Sequence, residues 1–126
     1  MKRQRMLQVV LVLVGLLFFA AALPAVGGVL HPEHSDTGDT MMMSIYATLG
    51  VFLLLAVRNP SAHRSVIAFA AWSSFAHACV MSLLGLRMPT ERNGFVIGSA
   101  VLVVIGLVLI ALTPAKRAES SLASAD

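Results

Sequence analysis

His77 is the one strongly ionisable side chain deep inside an apolar run of this 126-residue chain. It lies thirteen residues past Arg64, or about 20 Å along a helix. At helical spacing Ala70, Ser73, Ser74, His77 and Met81 share a small, polar face, and Trp72, Phe75, Cys79, Leu83 and Leu86 share a large, apolar one. An imidazole withdrawn from water is expected to be neutral, because desolvation disfavours its charge. Its N–H and its bare nitrogen then both need partners. Ser73 and Ser74 are within one turn, although serine in a helix often bonds its own backbone. On the preceding run Tyr46 reaches the same depth, with Gly50 on its face and Ser44 and Thr48 on the opposite one. Tyr46 is the expected partner, since its hydroxyl reaches furthest and Gly50 permits close approach. Such a cluster can be a polar clasp between helices, worth about 1 kcal/mol. It can also be a site where His77 relays protons or ligates haem or a metal. Haem held by two histidines would need a second one at this depth, and no other run has one; Met81 is the other soft donor nearby.

Other chemistry-bearing residues are sparser. His31 and His34, with Glu33, Asp36, Asp39 and the methionines at 41–43, form a set that could take a divalent or copper ion. The bland alternative is a solvated loop. Cys79 faces away from His77, so the two make no nucleophile–base pair, and as the single cysteine it excludes an intramolecular disulfide. There is no nucleotide loop, no carboxylate inside an apolar run and no paired acid and base. The expectation is a protein that is not an enzyme and carries no cofactor. The missing intramembrane carboxylate also argues against a proton-coupled exporter.

The elements that would position these residues follow from hydropathy. The chain is 58% hydrophobic and 12% charged, more than a soluble core of this size could hide. Four apolar runs, about 6–30, 41–57, 61–86 and 93–113, each approach the ~20 residues a helix needs to cross a bilayer. The expected fold class is all-α, a four-helix transmembrane bundle forming one domain over 1–117, with a disordered cytoplasmic tail at 118–126. The basic residues divide seven to two between alternate sides: Lys2, Arg3, Arg5, Arg58, Arg64, Lys116 and Arg117 against Arg87 and Arg92. The positive-inside rule then places both termini in the cytoplasm. The net charge of +3 thus reads as a topology signal and not as a nucleic-acid footprint. A basic start and small residues near 20–25 also resemble a secretory signal peptide. The uninterrupted apolar core at 9–23 is long for one, and an uncleaved helix is preferred.

Pro24, followed by Gly27 and Gly28, should kink or end the first helix. The stretch 31–40 needs no structure of its own. Asn59 and Pro60 are expected to cap and open the third helix, and Arg58, His63 and Arg64 to lie at headgroup level. Gly94 and Gly98 have GxxxG spacing, with Gly106 further along, and mark a packing face within the bundle or, alternatively, a homodimer seam.

Tyr46, Leu49, Gly50, Asn59, Pro60, Arg64, Ser65, Trp72, His77 and Met81 give the middle hairpin a familiar look. This third of the chain resembles a family of small, uncharacterised four-span bacterial membrane proteins. The resemblance implies a bacterial inner-membrane location and supplies no activity. Together these readings point to a multi-pass inner-membrane protein whose partners are the lipid bilayer and a second copy or another membrane protein. Its expected role is non-enzymatic packing or interaction. The alternatives are a redox, haem or metal-binding subunit centred on His77, or a small-molecule transporter, which would need a polar cavity.

Overall fold

A computed structural model describes residues 2–113 of the chain. The expected tail at 118–126 lies outside these residues. Among them every regular element is helical: α1 (Lys2–Phe19), α2 (Ala22–Leu30), α3 (Thr37–Ala56), α4 (Arg64–Arg87) and α5 (Arg92–Leu112), with short 3-10 turns at Pro32–His34 and Pro60–His63. Four rods are long and apolar enough to cross a membrane: Lys2–Leu30, Thr37–Ala56, Pro60–Arg87 and Arg92–Leu112.

The first rod is broken earlier than its proline, at Ala20 and Ala21. Pro24 is the third residue of α2, and it lacks the N–H that would bond the carbonyl four residues back. That carbonyl, on Ala20, instead accepts from Leu23 N at 3.1 Å, in a tighter i→i+3 turn. Gly27 and Gly28 lie inside α2 and do not end it. The second rod also departs from expectation, because α3 starts at Thr37 and not at 41. Asp36 caps it, its side chain accepting from Asp39 N at 3.1 Å, so part of the supposed loop is the first turn of a helix. At the next turn Pro60 does open a 3-10 turn, but Asn59 contributes its backbone carbonyl and not its side chain: Ala62 N donates to Asn59 O at 3.1 Å. The last helix runs 92–112 rather than 93–113.

The rods form two close pairs, α1 with α3 and α4 with α5, joined by narrower α1–α5 and α3–α4 contacts. Both ends of the described chain come to one end of the bundle. There Arg3 Nη2 donates to the carbonyls of Ala111 (2.9 Å) and Thr113 (3.1 Å), and Gln8 Nε2 donates to Val57 O at 3.0 Å. These bonds meet terminal carbonyls of α5 and α3 that a helix leaves without intrahelical donors. The buried core sits in this same half: Leu7, Leu11, Leu53, Ile67 and Leu109 are fully enclosed. The opposite half carries fewer buried side chains and opens into a cavity.

The outer surface is the reverse of a soluble protein's. No more than 28% of the most apolar stretch of any rod is buried, and Leu23, Val29 and Leu86 are each more than 70% exposed. In water each such side chain would forgo about 1.5–3 kcal/mol of burial.

Candidate functional site

Tyr46 and His77 meet across the narrow α3–α4 contact. The tyrosine hydroxyl lies 2.5 Å from His77 Nδ1, with the rings tilted and their centroids 5.3 Å apart. Three features bring them together. Antiparallel rods of equal rise put residue 46 of α3 opposite residue 77 of α4. Phe18 of α1 stands edge-on to Tyr46 at 5.0 Å between ring centroids and fixes the phenol's other side. The α1–α3 crossing beneath it is then set by Gly15 and Gly50. A Cβ on Gly50 would lie 2.7 Å from Gly15 O and closer still to Phe19 N.

That crossing revises the expected role of Gly50: the glycine admits α1 to α3 and does not face α4. The two serines of the cluster are likewise occupied elsewhere. Ser73 Oγ and Ser74 Oγ both donate to Ala70 O, at 3.1 and 2.7 Å, and neither bonds His77. Ser74 is buried, whereas Ser73 borders the cavity. Ser44 and Thr48 border a separate groove with Val66 and Phe69 of α4, and their hydroxyls bond Met41 O (2.6 Å) and Ser44 O (3.0 Å).

Of the glycines on α5, Gly98 lies against Met81, whose Cε would be 2.5 Å from an added Cβ, and Gly106 lies under the Phe75 ring. Gly94 faces open space, so the packing stripe is Gly98 with Gly106 and excludes Gly94. Phe75 accordingly leaves the outer apolar face and packs on α5, while Trp72, Leu83 and Leu86 remain exposed. A second polar seam supports the α4–α5 pair. Ser99 Oγ donates to Ala78 O at 3.1 Å, and Ser82 Oγ lies 3.2 Å from Ser99 Oγ.

The Tyr46–His77 pair lines a cavity of about 880 Å³ that all four rods help to build. Its walls are mainly apolar, from residues such as Leu17, Met42, Met43, Val80, Met81, Leu84 and Phe95. Asp39, from the first turn of α3, also lines it, which the sequence reading missed by leaving Asp39 in a loop. The capping sequence Asp36-Thr37-Gly38-Asp39 was the signal available for it. His31 and His34 stand apart from this cavity, each 3.7–3.8 Å from Glu33 Oε1 in the exposed turn. Among the described residues no three of His, Cys, Asp and Glu come together as a metal-ion site.

Glu33 lies between His31 and His34 without gathering them into a metal-ion site, and the candidate site is the cavity. A neutral imidazole whose Nδ1 meets a hydroxyl can donate or accept at Nε2, according to its tautomer. The arrangement can hold one polar group of a ligand in otherwise apolar surroundings.

Fold and site together define the class: an all-helical protein of four rods, each long and apolar enough to cross a membrane, with a polar pair in a cavity between its two halves. The chain belongs to a family of unknown function, DUF6632, whose family model matches residues 2–124. The likeness therefore covers nearly the whole chain and is not confined to the middle hairpin. Val- and Leu-rich outer rods carry few distinctive residues, which is why the hairpin stood out in the sequence. No curated protein and no solved structure matches the chain.

Proposed function

We propose that this is an integral protein of the bacterial inner membrane, with both termini cytoplasmic. Its non-enzymatic role is to hold a membrane-soluble small molecule in the Tyr46–His77 cavity. The observation that carries the reading is the cavity itself: about 880 Å³, mainly apolar and with a single tyrosine–histidine pair in its lining. Ligand sites of drug-sized molecules have this character, a volume of roughly 300–1,000 Å³ with few polar groups. The orientation is supported by the basic residues. Lys2, Arg3, Arg5, Arg58 and Arg64 gather at the closed end, and the acidic turn with Glu33, Asp36 and Asp39 lies at the open one.

Reporters active on only one side of the membrane, fused to each terminus, test the orientation; opposite locations for the two ends would refute it. For the binding role, protein purified in lipid nanodiscs is extracted with organic solvent and analysed by mass spectrometry beside Ala76→Trp, which fills the cavity. A compound carried by the native protein and lost in the variant is the expected result. Identical extracts would remove the reading.

A second reading, a redox group held by His77, is favoured by Met81, a soft donor one turn away on the same cavity wall. A stoichiometric Soret or metal signal abolished by His77→Ala would establish it in place of the first.

A further inference from the structure

The walls of the cavity discriminate by charge. Among the described residues lining it, the only carboxylate is Asp39, and no lysine or arginine contributes. Asp39 has no ion-pair partner among the described residues; the recorded pairs involve Glu33 with His31 and His34. Its backbone N–H is taken by Asp36, and its side chain is exposed. An anionic headgroup entering here would meet repulsion and find no lysine or arginine as counter-charge, the imidazole of His77 being engaged with Tyr46. A cation would meet one.

The rest of the lining suits an organic cation with an apolar body. Asp39 is seven residues before Tyr46 on α3, about 10 Å along the helix. A charge held near the mouth thus leaves space for a body reaching down to the Tyr46–His77 pair. Met42, Met43 and Met81 border that space. Thioether side chains are polarizable and unbranched, and adapt to varied apolar shapes. Tyr46 and Phe95 add aromatic faces, whose quadrupoles attract cations.

We infer that the cavity takes a lipophilic organic cation, with its charge beside Asp39 and its apolar body between the methionine-bearing walls of α3 and α4. The inference rests on the reading of the cavity as a ligand site and adds the sign of the ligand's charge. It does not require transport.

Tetraphenylphosphonium and tetraphenylborate, near-identical in shape and opposite in charge, provide the test. Each is measured by equilibrium dialysis against the full chain in phosphatidylcholine nanodiscs, with protein-free discs as the blank. The expected result is saturable, stoichiometric binding of tetraphenylphosphonium. Asp39→Asn should weaken it about fivefold or more, the factor that corresponds to a solvent-screened charge contact, and Ala76→Trp should abolish it. Asp39 also sits where a carboxylate favours the α3 dipole. If that is its whole role, Asp39→Asn lowers stability and leaves binding unchanged, and the inference falls. Equal binding of both ions would overturn the charge preference and leave the cavity reading intact. Saturable binding of neither would overturn both. Because Asp39 is exposed, Asp39→Asn keeps the test decisive even if Ala76→Trp fails to fold, which circular dichroism reports.

Discussion

Replacing Gly50 with alanine tests how the two halves of the cavity are held. The added methyl would stand 2.7 Å from Gly15 O and 3.0 Å from Phe18 C, and nearer still to Phe19 N. All three are backbone atoms of α1, so no side-chain rotation relieves the overlap. Ordinary contact begins at 3.4 Å, so α1 and α3 must part by about 0.7 Å or more. A gap of roughly 0.5–1 Å forfeits about a quarter to a half of each dispersion contact across it. The buried cluster that these two rods share includes Leu11, Val14, Phe18, Leu49 and Leu53. The expected loss is therefore in the usual range for overpacking, about 1–3 kcal/mol. Gly94→Ala is the internal control, since its methyl would meet nothing within 4 Å and would gain helix propensity. Gly98→Ala should fall between them, because only the flexible end of Met81 must move. Reversible unfolding of the purified protein in mixed detergent micelles, followed by circular dichroism, measures all three. Equal stability of the Gly50 and Gly94 variants would refute this account of the crossing.

Three further outcomes are expected. Tyr46→Phe removes the hydroxyl facing His77 Nδ1 and should cost about 0.6 kcal/mol, the average for such bonds in membrane bundles; the ¹⁵N resonance of Nδ1 should shift, and an unchanged resonance would contradict the pairing. Ser99→Ala deletes the bond to Ala78 O and the contact with Ser82; a similar loss of about 0.6–1.7 kcal/mol is expected, and Ser82→Ala made on top of it should add less than it costs alone. Asp36→Ala removes the cap of α3, worth about 0.5–2 kcal/mol, and amide exchange should speed up selectively at Asp39 and Thr40; uniform exchange across α3 would count against the cap.

Several of the departures from the sequence reading have local causes. Asp36 capping Asp39 is a four-residue pattern that the turn-rich composition of 31–40 obscured. The break at Ala20 and Ala21 precedes Pro24 because a proline disrupts the bond owed to the residue four places earlier, not its own position. Arg3 was visible as a basic residue ahead of the first apolar run, and Gln8 lies within that run. Their targets, Val57 O, Ala111 O and Thr113 O, are backbone atoms on distant rods, and a backbone carbonyl has no signature in a sequence.

Hydropathy and helical rise are properties of each segment alone, so the number of rods, their apolar character and the shared depth of Tyr46 and His77 could be read without any coordinates. Azimuth is different. Between apolar helices in lipid no hydrophobic force selects one face over another, and Gly50 could have been turned to α1 or to α4 with the same composition. The choice fell to steric fit with Gly15 on another rod. That fit draws α1 and α3 together, leaves α3 and α4 parted above Tyr46, and makes Asp39 part of a cavity wall. Only the assembled fold could decide it, because the deciding atoms belong to different helices.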